Sequence, residues 1–234
     1  GVEIDFVPFD ERGYVHPEDI EAQIRSNTKL VVMNHGSNVI GTIQPVGEIG
    51  RLCRERGIRF VVDTAQTAGV VPIDVQQMQI DALAFTGHKS LLAPTGIGGI
   101  YVAEGVEVKH TRYGGTGVRS AYPFHLDEYP YRLEVGTPNV LGVLGLHEAQ
   151  RHIAERGMDA IYRHEMELFS TLQAGLVEID GVTLHGTTQL SDRLPVLSLT
   201  VEGWDPADVG VLLDGDHNIA CRTGLQCAPL IHEQ

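Results

Sequence analysis

Short apolar runs alternate along this chain with segments of helical periodicity. Residues 4–7, 30–33, 60–62, 82–85 and 100–102 are apolar runs of strand length. Residues 17–24 open with Pro17 and place acids in the first turn, as helix starts do. Residues 45–56 form a second helical pattern, with Pro45 at its start, Gly57 just past its end, and Val46, Ile49, Leu52 and Cys53 on one face. Strand and helix in alternation, with short connections, predict an α/β fold with a mainly parallel sheet flanked by helices. The runs are apolar throughout rather than alternating, the pattern of strands covered on both faces.

The character changes after Gly105. Residues 110–139 hold many Gly, Pro, Tyr and His residues with no sustained periodicity. They read as long loops, which in a compact protein are usually functional or shared with a partner. Helical patterns follow at 140–155 and 158–178. Strands are expected at 182–185, 196–201 and 219–221, with a helix at 206–213 between the last two. This predicts a smaller α+β C-terminal domain at 156–234, after a large domain at 1–155. The large domain enters its sheet part-way and no closing helix follows residue 234, so both ends read as cut.

Composition narrows the function classes. The chain is 42% apolar, enough to bury a core, and no apolar run approaches the span of a bilayer. The opening residues show no basic segment followed by an apolar one, so no secretory signal is read there. With 17 basic against 31 acidic residues the net charge is −14, which repels a phosphate backbone, and no nucleic-acid partner is expected. Cys53, Cys221 and Cys227 are too few for a disulfide framework, and a reducing, cytoplasmic setting is the simplest inference. Cys53 lies on the apolar face of its helix and is expected in the core.

Three stretches carry candidate chemistry. Residues 81–89 run from a strand through Thr86-Gly87-His88 to Lys89, at the edge where open α/β sheets bind ligands. A lysine there suits a Schiff base, with its neighbours holding a phosphate; alone, it also reads as a surface lysine after a strand. Residues 60–66 end a strand with Asp63, followed by Gln66. That acid suits a protonated pyridine nitrogen, or equally a helix N-cap. Asn38, after the strand at 30–33, suits a ligand hydrogen bond or a turn. Asn38, Asp63, Gln66, Thr86, His88 and Lys89 are expected at the same end of three parallel strands, the convergence a cofactor site requires. Cys221, Cys227 and His232 match no compact zinc spacing, so no metal is expected.

In order along the chain, NHGSNVIGTIQPVGEIG, FVVDTAQTAGVVPIDV, DALAFTGHKSLLAPTGIGGIYV, GGTG, EVGTPN and CRTGLQCAPL resemble the class V aminotransferase family of pyridoxal-phosphate enzymes, in its cysteine desulfurase and selenocysteine lyase branch. The resemblance implies a PLP-transferase-like fold with pyridoxal 5'-phosphate bound through Lys89. It places Asp63 at the pyridine nitrogen, Asn38 and Gln66 near the ring hydroxyl, and Thr86 and His88 on the phosphate. It sends Thr137 to the phosphate of a neighbouring subunit in a homodimer with shared sites. Cys227 would accept sulfur from L-cysteine, leaving L-alanine, with Arg222 in the same loop and Arg222 and Asn38 near the substrate. A protein that takes the sulfur onward is an implied partner. Gln226 stands where related loops often carry His. The family's ring-stacking histidine and carboxylate-binding arginine lie outside the matched stretch. Other reactions of the family (selenocysteine lyase, aminotransferase or epimerase), or an inactive fragment, are the alternatives.

Overall fold

Residues 1–233 are described by a computed structural model. Its larger sheet has four strands in the order β1 (Leu30–Asn34), β2 (Arg59–Asp63), β3 (Ala82–Thr86) and β4 (Gly98–Val102). The first three are parallel, and β4 returns antiparallel to β3. The reason lies in the connection. Residues 87–97 are turns with no helix, and a parallel return needs a crossover long enough to recross the sheet.

Helices α1 (Pro17–Gln23) and α2 (Val46–Arg56) precede and follow β1 in the chain. Pro45 stands immediately before α2, and Gly57 closes it in the left-handed conformation at φ 65°, donating to the Arg54 and Cys53 carbonyls. The buried stripe of α2, Val46, Ile49 and Cys53, packs on Phe60, Val62 and Leu83 together with Ile20 of α1. Each such side chain, fully buried, contributes about 1.5–3 kcal/mol. Burial also pushes the Cys53 thiol up to about 11, as expected of a core cysteine.

Side chains alternate across a strand, so Leu30, Val32 and Ile100 lie on the opposite face. There they remain 51%, 66% and 51% exposed. Among the described residues the expected covering of both faces is found on one.

The rest of the chain runs through turns and a short 3-10 segment to α3 (Val140–Arg156), α4 (Met158–Val177), β5 (Val182–His185), β6 (Ser198–Val201) and α5 (Pro206–His217). Strands β5 and β6 form a separate antiparallel pair. Asn139 caps α3 by accepting from the Gly142 amide at 3.0 Å, and Asp205 caps α5 by accepting from the Ala207 amide at 2.8 Å. Two expected strands are absent. Residues 4–7 join no strand among the described residues, although the Phe6 carbonyl accepts from Gln23 Nε2 at 3.4 Å, and Ile4 and Phe6 are each left 72% exposed; apolar runs become strands only where an edge receives them. Residues 219–221 follow the left-handed Asn218, which ends α5 at φ 54°; the Ile219 amide turns back to Leu213 O at 2.8 Å, and the segment joins no strand among the described residues.

His35 directly follows β1. Its amide donates to the Asp63 carbonyl at 2.8 Å, its side chain is buried, and its Nδ1 has no partner among the described residues. Burial lowers its pKa from 6.5 to about 4.

Gly50 lies inside α2, and a Cβ there would stand 1.9 Å from the Met78 carbonyl oxygen, whereas at Gly47 the nearest atom is Met78 Cγ at 3.9 Å. In denaturant titration Gly47→Ala is expected to stabilise by about 0.5–1 kcal/mol through helix propensity. Gly50→Ala is expected to destabilise by about 1–3 kcal/mol through overpacking. For His35 the folded state favours the neutral ring, so its contribution is complete above pH 6.5 and falls away as the pH drops toward 4. Unfolding titrations should show a loss of up to about 3 kcal/mol across that window, absent in His35→Asn; equal slopes in the two proteins would refute this.

Candidate active site

The parallel register sets Asn34 beside Asp63 and Asp63 beside Ala84. By the same alternation Asp63 and Thr86 project from one face at the carboxyl edge. Thr64 extends the junction past the last strand pair: its amide and its hydroxyl both donate to the Ala84 carbonyl, at 2.8 and 2.9 Å. The turn after β3 is equally fixed. Gly87 donates to Ile97 O at 2.9 Å, Ala93 to Gly87 O at 2.8 Å, and Leu92 to Lys89 O at 2.8 Å. Half-buried Lys89 sits in this turn, and Thr86 Oγ1 lies 2.8 Å from His88 Nδ1.

The turn after β2 leans on the turn after β3. At Gly69, φ is +99° and a Cβ would lie 2.5 Å from the Ser90 carbonyl oxygen, a closeness only glycine permits. This brings the segment of Gln66 against the segment of Lys89. Asp63 itself is exposed rather than enclosed, because it projects from the less covered face. Its Oδ1 accepts from the Ala65 amide at 2.8 Å, and its Oδ2 is left without a partner among the described residues.

Asn38 belongs to a loop over residues 35–44 that lies on the same edge. A Cβ at Gly36 would stand 2.7 Å from Thr67 Cγ2, so this loop also touches the turn after β2. Ser37 Oγ accepts from the amides of Val39 and Ile40, at 3.2 Å each, and Ser37 N donates to Thr42 O at 3.0 Å. The Asn38 side chain then reaches across 188 positions of sequence, Nδ2 donating to the Gln226 carbonyl at 2.6 Å.

That bond carries the site to Cys227. Arg222 Nη2 donates to Cys227 Sγ at 2.9 Å, and Gln226 Nε2 reaches Arg222 O at 3.4 Å. Gln226 and Cys227 both take the left-handed region, at φ 47° and 61°. For residues with a Cβ this stores on the order of 1–3 kcal/mol each, a strain that concentrates at functional sites. Cys221 and Cys227 are both exposed, but the arginine donates to Cys227.

Thr137 stands apart. It is exposed in the 134–139 segment, whose Gly136 donates to Gly115 O at 2.7 Å, and among the described residues no hydrogen bond joins it to Thr86, His88 or Lys89. One residue absent from the sequence reading is Arg193, which is 1% exposed and bonded to the Asn38 loop. In the sequence it is an ordinary cation between Asp192 and an apolar run, with nothing to separate it from a surface residue.

The chemistry on offer is specific. Adjacent turns present an amine, a carboxylate with one free oxygen and a hydroxyl–imidazole pair, and a tethered loop adds a thiol bonded to an arginine. An amine captures a carbonyl, a carboxylate holds a cationic ring nitrogen, and hydroxyl and imidazole groups donate to phosphate.

Residues 1–234 match the family model Aminotransferase class-V. A probable cysteine desulfurase of Methanothermobacter thermautotrophicus is 35% identical over 97% of this chain and 58% of its own length. One of Pyrococcus abyssi is 36% identical over 97% and 57%. The apo cysteine desulfurase of Thermococcus onnurineus superposes with a TM-score of 0.83 at 33% identity, over 98% of this chain and 57% of that one. The cysteine desulfurase CsdA of Escherichia coli, in an S-sulfonic acid form, gives 0.85 at 28% over 97% and 57%. The chain therefore spans under three fifths of the length of these relatives. Its fold is the PLP-transferase-like fold of those structures, and the chain belongs to the class-V aminotransferase family.

Proposed function

We propose that this chain carries the cofactor-binding and sulfur-accepting residues of a pyridoxal-phosphate-dependent cysteine desulfurase. The observation that carries this reading is the 2.6 Å bond from Asn38 to the Gln226 carbonyl. It ties the loop of an exposed thiol to the edge where Asp63 and Lys89 stand. The names of the relatives at 35% and 36% identity support the same reaction.

The residues fit the cofactor. Asp63 Oδ2 is free among the described residues to hold a protonated ring nitrogen, Thr86 and His88 are paired and available to a phosphate, and Lys89 is half-buried in the same turn as His88. Asn38 and Gln66 stand on the loops beside them and serve the ring hydroxyl. Pyridoxal phosphate, when bound, supplies the carbonyl that captures the substrate amine and a cationic ring that takes up electron density from the α-carbon. Lys89 Nζ anchors the group and then moves the α-proton of the substrate. The Asp63 carboxylate keeps the ring nitrogen protonated. Arg222 and Asn38 orient the substrate, and Arg222 Nη2 donates to the Cys227 sulfur. Cys227 then attacks the substrate sulfur. Its S–S bond forms as the substrate C–S bond breaks, so L-cysteine and the Cys227 thiol become L-alanine and a Cys227 persulfide.

In this reading residues 1–155 bind the cofactor and 156–234 form a smaller domain, a division supported by the two separate sheets. Thr137, exposed on its own chain, reaches the phosphate of a second copy in a homodimer. A protein acceptor takes the persulfide sulfur onward. No helix among the described residues is long and apolar enough to cross a membrane, and the three free thiols suit a reducing cytoplasm.

The test uses the full chain. Borohydride reduction should fix the cofactor on Lys89, and Lys89→Ala should fold yet retain none. Cys227→Ala should keep the yellow cofactor band while alanine formation from cysteine falls by about a hundredfold or more. Undiminished turnover in Cys227→Ala would remove the desulfurase reading and leave the cofactor site standing.

A further inference from the structure

Arg193 is almost wholly buried, and no carboxylate pairs with it among the described residues. An unpaired buried cation is costly unless its donors are met. Here backbone carbonyls meet them. Nε donates to Leu194 O at 3.3 Å, Nη1 to Thr187 O, and Nη2 to both Val196 O at 2.7 Å and Ile40 O at 3.4 Å. The face of the guanidinium covers the buried ring of Phe169, 4.2 Å from its centroid. A planar fork is the side chain that can satisfy carbonyls from several directions at once.

The carbonyl at Ile40 belongs to the loop of Asn38. Other bonds from the same region grip that loop too: Leu194 N to Gly41 O at 2.6 Å, Ile43 N to Asp192 O at 2.9 Å, and Ser198 Oγ to Val39 O at 2.5 Å. Gly41, at φ +75°, has the Leu194 and Val196 carbonyls within 3 Å of where a Cβ would sit, so the two segments meet backbone to backbone. Tyr162 of α4 fixes the other side by donating to Arg193 O at 2.7 Å. Asn38 is thus held from behind by residues 192–198 while its amide holds Gln226 in front.

We propose that Arg193 is a positioning residue for the sulfur-accepting thiol. It sets the loop over residues 38–41, and Asn38 on that loop sets the backbone of Gln226 and Cys227. The functional meaning rests on the desulfurase reading, whereas the mechanical linkage does not.

The experiment reads the linkage without turnover. A nitroxide is placed on Cys227 in a Cys221→Ser background, or on Cys221 in a Cys227→Ser background, in the full chain loaded with pyridoxal phosphate; buried Cys53 is left unlabelled. The label at 227 is expected to tumble slowly in the parent. Asn38→Ala and Arg193→Lys should each shorten its correlation time by roughly threefold. Ser198→Ala, which removes a neighbouring clamp without stranding a charge, should shorten it in the same direction. The label at 221 should not change, and the Asn38→Ala/Arg193→Lys pair should equal Asn38→Ala alone, as serial links require. Equal loosening at 221 and 227 would reduce Arg193 to a structural cation. No change at 227, or an additive double variant, would break the proposed link. None of these outcomes depends on whether cysteine is turned over, so a failed linkage and a failed reaction are told apart.

Discussion

The Ala84 carbonyl is where the site is assembled. Thr64, fully buried, spends both its amide and its hydroxyl on that one oxygen. The backbone of β2 therefore cannot diverge from β3 as both leave the sheet. Everything chemical downstream inherits the alignment. Asp63 is the last residue before this junction and Thr86 lies two residues after its acceptor. Side-chain alternation puts both on one face. The contact of Gly69 with the Ser90 carbonyl then closes the two exit turns on each other. A slip by one residue would rotate Asp63 to the helix-covered face, into the packing of Phe60 and Val62.

The thiol side is held by different physics. Lys89 sits in a turn closed by short backbone bonds; Cys227 also sits in a backbone turn, Ala228 N donating to Leu225 O at 2.9 Å, but adds two side chains: an arginine donor on its sulfur and an asparagine donor on the preceding carbonyl. Its left-handed backbone is maintained against a local preference for other conformations. A rigid amine and a tethered, strained thiol answer different demands. In the proposed function the amine must stay in register with a fixed carboxylate, while an accepting sulfur must meet one donor and then present its cargo to another.

Local signals made much of this legible. The helical stripe Val46, Ile49 and Cys53 and the glycine after Arg56 marked α2, and packing agreed with periodicity. The motif residues after β2 and β3 lie at one edge because those parallel strands end together. What failed was non-local. Residues 4–7 have the apolar pattern of a strand but no edge to join, and pattern cannot supply a partner. The return direction of β4 depended on whether residues 87–97 could cross the sheet. The exposure of Asp63 followed from which face the helices cover, a fact of tertiary packing rather than of the sequence around it. The bond from Asn38 to Gln226 joins positions too far apart for any spacing rule.

Arg193 is the strongest case of that illegibility, and its chemistry explains why a cation occupies the place. A hydrophobic side chain of similar volume would fill the space beside Phe169, and such replacements often cost nothing in stability. It would also leave the carbonyls of Ile40, Thr187 and Val196 unmet where the backbone turns away from its own ladder. A carboxylate partner would neutralise the charge but compete for the same donors. With backbone carbonyls as its hydrogen-bond partners among the described residues, the guanidinium joins loop to loop through backbone. Asn38 is thereby held through the main chain of its loop at Ile40 and Gly41 together with the Ser37 and Ser198 hydroxyls, and it meets Gln226 through its own side-chain amide.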